Sequence, residues 1–247
     1  MTLMDLLTEA VMKQMPLDRR LSCLDVQIRI LMHAAPPCTV GEMSCLTGAN
    51  HETVRRSMNR LLKAGWVLKA SEKRGRESLF GGWVPIYIES QIADGLRAMK
   101  SDVERLGEWL MFCWLDLVIA CADAVDNSRP DWLRPYAGAS RLQIDRSYPT
   151  LQLGFEFQGP QHFSAAGIYA DNVEEFNKQV NRDAIKMGIC SRRGYRLVEI
   201  VKDDLTLTGV TAKIPLGTPL NLFRKNGPIV MALTDLSDAY MNYKALA

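Results

Sequence analysis

Through the first third of the chain, apolar positions recur at helical spacing. Leu3, Leu6, Leu7 and Val11 do so at the start, predicting an amphipathic helix that docks or dimerises. A second helical pattern runs from Ser22 to Ala34 through Leu24, Ile28, Leu31 and Met32 and stops at Pro36-Pro37. Thr39-Val40-Gly41-Glu42 has the form of a capping box opening a short helix that ends near Gly48. After the turn Thr47 to Asn50, Asn50 can cap a further helix from His51. That helix places Val54, Met58, Leu61 and Leu62 on one face and Arg55, Arg56, Asn59, Arg60 and Lys63 on the other, and Gly65 stops it. Trp66 to Ala70 then reads as a strand, Lys73-Arg74-Gly75-Arg76 as a basic turn and Ser78 to Phe80 as the return strand.

Gly81-Gly82 and Pro85 mark a boundary. From Ile86 to about Ala124 the chain turns helical, with Trp109 to Ala122 as a buried helix interrupted by Asp116 and too short to span a bilayer. Arg141 to Asp145 and Leu151 to Phe157 are expected as core strands with Tyr148-Pro149 in their connection, and Ser164 to Asn177 as a polar loop. Val180 to Arg193 is expected as a helix capped by Gly194, Tyr195 to Val201 as a buried strand, and Met231 to Ala247 as a short closing helix.

Two helices joined by a tight glycine turn, the second basic on its outer face, describe a helix-turn-helix. With the following basic hairpin, the N-terminal region resembles the winged helix-turn-helix of MarR-like regulators. Overall charge is only +2, but its distribution matters more: between His51 and Arg76 eight Lys/Arg stand against two acids, Glu52 and Glu72. A local surplus of that size is what phosphate contacts require. Arg55, Arg56 and Asn59, near the start of the second helix, are placed for base edges. Arg60 and Lys63 share their face, and Lys73, Arg74 and Arg76 of the wing suit phosphate. The bland alternative is a solvated helix face.

Composition changes little else. Apolar residues at 47% and charged residues at 23% describe an ordinary globular chain able to bury a core. Six scattered cysteines without a C-x-x-C pair, and no export signal, predict free thiols in a reducing cytoplasm. Three distant histidines argue against zinc.

The chemistry concentrates between Ile144 and Ile200. Glu156 lies between Phe155 and Phe157 in a buried-looking strand, a costly place for an acid unless it is paired or holds a cation. Asp145, one hairpin away, offers a second carboxylate, and hard divalent ions take carboxylate and backbone oxygens. The residue two after Glu156 on the same strand face is Gln158. His162 follows the Gly159 turn, and Asp183 and Lys186 share a helix face at i, i+3, as a solvated ion pair or as parts of a site. Glu108, on the helix before, reads as a surface acid and Cys190 as core.

The pattern D-x3-P-x6-E-x-Q-G-x-Q-H, followed by R-D-x2-K-x3-C-x3-G-Y-x-L-x-x-I, resembles the PD-(D/E)xK nuclease superfamily, in its branch of very-short-patch-repair-like endonucleases and small phage and mobile-element nucleases. The resemblance covers at most the C-terminal half. It implies an α+β chain: a winged helix-turn-helix over 1–85, then a restriction-endonuclease-like α/β/α domain with a mixed central sheet over 86–247, of which 86–135 form a helical connection and opening helix. It further implies a Mg2+-dependent endodeoxyribonuclease, with Mn2+ able to substitute, in which Asp145 and Glu156 bind metal. The superfamily's lysine falls on Gln158, which departs from the pattern; Lys186 from the following helix is a candidate for the missing cation and His162 for a proton shuttle. Double-stranded DNA is the expected partner, a homodimer is an open possibility and no membrane is involved. The competing reading is a DNA-binding regulator whose nuclease fold no longer cuts; a third is an enzyme acting on RNA or branched DNA.

Overall fold

The computed structural model describes residues 1–33, 35–99, 105–136, 138–159 and 173–245, of which 173–179 and 243–245 are described by backbone alone. The fold is α+β with a mixed sheet. It divides into two compact units: Met1–Glu104 with Phe112–Ala122 and Gly217–Ala239, and Arg105–Met111 with Asp123–Leu216 and Tyr240–Ala247.

In the first unit, α1 (Leu3–Gln14) buries Leu3, Leu7, Ala10 and Val11 and packs against α5 (Ile86–Met99). Helix α2 (Cys23–Leu31) stops three residues short of the expected Ala34, with Met32 as its C-cap. Helix α3 (Val40–Thr47) starts on the reciprocal bonds of the capping box: the Glu42 N–H donates to Thr39 Oγ1 (3.1 Å), and the Thr39 N–H donates to Glu42 Oε2 (2.8 Å). It ends on Gly48 in the left-handed region (φ 68°), and Asn50 Oδ1 accepts from the Thr53 N–H (2.8 Å) to open α4 (His51–Ala64). Val54, Met58 and Leu61 are fully buried, while Arg55, Arg56, Asn59, Arg60 and Lys63 are exposed. The antiparallel hairpin β1 (Val67–Arg74) and β2 (Glu77–Gly82) follows.

Phe112 to Val118, the later part of α6 (Leu106–Val118), is buried throughout. Asp116, the acid within this apolar run, is itself buried. Its carboxylate accepts the Met4 N–H (2.9 Å) at the start of α1, where a helix leaves donors unpaired. The helix ends at Val118 rather than Ala122, and the Asn221 side chain donates to the Asp116, Leu117 and Ile119 carbonyls there.

The second unit holds a four-stranded sheet in the order β3 (Val125–Ser128), β4 (Ile144–Tyr148), β5 (Leu153–Gln158), β6 (Arg196–Val201). The first two pairings are antiparallel, and β5 with β6 is parallel. A parallel pair needs a crossover, and α7 (Val173–Arg192) lies within it. Strand β4 runs three residues later than expected because Leu142 bonds elsewhere: its N–H donates to the Leu133 carbonyl (2.8 Å). Leu133, Leu142, Ile144, Ile189, Cys190 and Tyr195 form one buried cluster. The Tyr195 hydroxyl reaches the Leu153 carbonyl and the Ser147 hydroxyl, both at 2.7 Å, tying the start of β6 to β4 and β5. Helix α7 begins seven residues before Val180, so 173–177 are helical rather than loop. Helix α8 (Leu207–Lys213) follows β6, and α9 (Pro228–Ala245) closes the described chain at 18 residues, longer than the short helix expected. All six cysteines are free thiols.

Candidate functional site

The antiparallel register pairs Arg146 with Phe155 and Ser147 with Gly154; carried one residue further it sets Asp145 opposite Glu156. Directly opposed residues on neighbouring strands project from the same sheet face. The two acids therefore meet on one face although eleven positions separate them in sequence. Asp145 Oδ2 accepts the Phe157 N–H at 2.9 Å, which fixes that carboxylate against the end of β5. Gln158, on the same face of β5 as Glu156, is partly exposed.

Helix α7 brings the third component. Lys186 is buried, and its Nζ donates to Glu156 Oε2 at 2.6 Å. Lys186 is thus not a solvated helix-surface charge. The second oxygen of Glu156, Oε1, is buried with no hydrogen-bond partner among the described residues. Burial, first, and then the charge of Asp145 push the Glu156 carboxyl up to about 7; Lys186 pulls it back, and Asp183 adds to the rise. Cys190, one turn beyond Lys186, is core as expected, its thiol pushed up to about 11 by burial and by Glu156.

Two residues that sequence reasoning did not place in the site belong to its surroundings. Glu108 was expected at the surface, yet its side chain is only 13% exposed. Burial and the charge of Asp145 raise its carboxyl, partly offset by Arg105 and by a hydrogen bond from Asn127. Asn127 stands on β3 with φ 52°, a conformation uncommon outside glycine, and its Oδ1 accepts from Gln143 Nε2 at 2.6 Å. Strand β3 is four polar-flavoured residues without alternation, so only its pairing with β4 reveals it. The left-handed tolerance of asparagine was the one signal available. His162 lies outside the described residues.

A hard divalent ion of the Mg2+ type is commonly held by one or two carboxylates while keeping several waters. Asp145 and Glu156, whose Oε1 lacks a partner among the described residues, are the residues that could hold such an ion. Among the described residues no group of three or more His, Cys, Asp or Glu is placed to hold a metal, so water or substrate oxygens would complete the coordination.

The second candidate surface lies in the first unit, on α4 and the β1–β2 hairpin. Arg55 and Arg56 both pair with Glu52, at 2.7 and 3.0 Å, and Arg74 pairs with Glu42. Arg60 grips the buried Asp25 through two bonds of 2.9 Å, so α4 is bound to α2 through it. Asn59, Lys63, Lys73 and Arg76 stand exposed on the same elements. The expected basic face exists, but Arg55, Arg56, Arg60 and Arg74 on it already have carboxylate partners.

No family model and no solved structure matches the chain. Part of it is similar to "Uncharacterized protein 033L" of Invertebrate iridescent virus 3, with 34% identity over 74 residues, covering 30% of this chain and 38% of the relative. Part is similar to "Uncharacterized protein 307L" of Invertebrate iridescent virus 6, with 35% identity over 86 residues, covering 32% of this chain and 44% of the relative. The chain therefore spans less than half the length of these relatives. Among the described residues no helix is long and apolar enough to cross a membrane.

Proposed function

We propose that the protein is a metal-dependent DNA endonuclease that hydrolyses phosphodiester bonds, with α2 to α4 and the β1–β2 hairpin serving as a winged helix-turn-helix that holds duplex DNA. The observation that carries the reading is that Glu156, set opposite the half-buried Asp145 by the sheet register, is buried against Lys186, with one Glu156 oxygen lacking a partner among the described residues. A buried acid and ammonium with a second acid beside them have little structural purpose, because apolar groups would pack there at lower cost.

Asp145 and Glu156 would hold the Mg2+, which when bound neutralises charge at the scissile phosphate and polarises the attacking water. The Phe157 N–H keeps Asp145 oriented. Gln158 carries no charge but can orient the water by hydrogen bonding from the face it shares with Glu156. Lys186 contributes the positive charge that Gln158 cannot, from α7 rather than from β5. Glu108 and Asp183 add negative potential that favours cation entry.

The test is incubation of supercoiled plasmid with the protein in Mg2+, Mn2+ or EDTA, beside Glu156→Ala and Asp145→Asn. Metal-dependent nicking that both variants lose is the expected result. The loss of a lysine at position 158 favours one rival, a DNA-binding regulator with an inactive nuclease-like fold. Binding without metal and no cleavage of plasmid or branched DNA in any metal would sink the endonuclease reading and support that rival.

A further inference from the structure

Asp145 lies opposite Glu156 in the sheet register, its charge reaches both Glu108 and Glu156, and Asp183 acts on Glu156 as well. Negative charge gathered in a buried place is unfavourable without a compensating cation. The basic groups beside these acids differ in reach. Arg146 neighbours Asp145 on β4, but successive strand residues face opposite ways, and its guanidinium goes to Asp126 and lies over the Tyr148 ring. Arg105 is largely exposed and reaches Glu108 only at 3.4 Å. Lys186 alone of these touches Glu156, and it contacts one carboxylate oxygen, leaving the other without a partner among the described residues. A monovalent ammonium with this reach half-satisfies the group it neutralises.

We propose that Lys186 is the resident counter-cation of this acid cluster, occupying Glu156 until a divalent metal displaces it. The inference rests on the endonuclease reading only in that the metal enters at Asp145 and Glu156. A divalent ion on a carboxylate oxygen sits about 2.1 Å from it. Bound at Oε1, it would share a single carboxylate with the ammonium that Oε2 accepts at 2.6 Å, so two like-charged cations would compete for one negative charge at close range. Lysine suits the role because its flexible four-carbon stem lets the ammonium withdraw while the α7 backbone stays in place. Three consequences follow. The empty protein is stabilised against its own acids, metal affinity is lowered by the competition, and the displaced ammonium stays beside the site where an anionic phosphate arrives.

The test uses the full chain and Mn2+ alone, with free Mn2+ counted by electron paramagnetic resonance at pH 8.5. Wild type, Lys186→Met, Lys186→Arg and Glu156→Gln are titrated. The expected result is that Lys186→Met binds Mn2+ at least tenfold more tightly than wild type, Lys186→Arg binds no more tightly, and Glu156→Gln loses the site. Wild-type binding with Lys186→Met equal or weaker overturns the counter-cation role and leaves the endonuclease reading standing. Absence of Mn2+ binding in both wild type and Lys186→Met removes the metal site and that reading with it. A second measurement on wild type covers the case in which Lys186→Met does not fold: acetylation of Lys186 by an amine-reactive ester, followed by mass spectrometry. Severalfold faster labelling once Mn2+ is bound supports displacement; unchanged labelling with Mn2+ bound overturns it.

Discussion

Arg60 separates a structural from a DNA-contacting role for the exposed face of α4, and the structure sets the size of the effect. Its Nε and Nη2 each donate to Asp25 at 2.9 Å, and Asp25 is fully buried. Arg60→Met keeps most of the aliphatic stem and removes both charged donors. Each such bond to a buried charge is worth about 1.5–3 kcal/mol. Two considerations reduce the total: Asp25 keeps the Ser22 N–H at 2.7 Å, and the Arg60 side chain is 44% exposed, so water can reach the vacated position. A net loss of about 2 kcal/mol results, or a fall in Tm of roughly 4–8 °C for a unit of this size. The pH dependence follows with a definite sign. Burial alone would raise the Asp25 carboxyl, but hydrogen bonds from Arg60, Ser22 and Ser57 outweigh it and hold it low. A depressed carboxyl stabilises above its unfolded value near 3.8 and loses that contribution as pH falls through the folded one. The gap between wild type and variant should therefore be full at neutral pH and narrow below about pH 4. Thermal melts across pH 7 to 3 measure it. In parallel, Lys63→Ala and Lys73→Ala should leave Tm unchanged and each reduce the salt slope of DNA binding by about 0.9, whereas Arg60→Met should leave that slope alone. An unchanged Tm in Arg60→Met, accompanied by a slope reduced by about one, would refute the reasoning.

Burial, and secondarily the charge of Arg29, lower the His33 imidazole to about 4, and its Nε2 lies 2.8 Å from Thr8 Oγ1. A base whose folded pKa is depressed stabilises fully above its unfolded value near 6.5 and loses that contribution as pH falls towards about 4. Urea midpoints between pH 7.5 and 4.5 should drop more for wild type than for His33→Gln; parallel curves would count against this. Two helical glycines predict opposite signs. A Cβ at Gly107 would meet the Phe157 ring at 2.5 Å and the Tyr240 hydroxyl at 2.6 Å, so Gly107→Ala should destabilise by about 1–3 kcal/mol. Gly95 on α5 has nothing within 4 Å of that position, so Gly95→Ala should stabilise by about 0.5–1 kcal/mol. Denaturant titrations that returned the same sign for both would show that these contacts do not decide the matter.

The sequence alone determined whatever rests on neighbours within one turn. The Thr39–Glu42 capping box, the Asn50 cap, the left-handed stops at Gly48 and Gly65 and the two-faced pattern of α4 all lie where they were read, because each needs only residues a few positions apart. Glu156 stood out for a related reason, since an acid between two aromatics in a strand is conspicuous wherever the strand lies, and Asp145 followed as the acid one hairpin away. Tertiary structure decided the rest. Strand β4 slid three residues because Leu142 found Leu133, and β3 exists only as a partner for β4. Lys186 could be read as a solvated partner of Asp183 until α7 turned it onto Glu156, thirty residues away in the chain. Arg60 looked equivalent to its exposed neighbours until Asp25 claimed it, and Gly107 and Gly95 are indistinguishable by local pattern. In each case the energy comes from a partner far along the chain. Local periodicity reports which face of an element is apolar, and it carries no information about which distant group will be packed against that face.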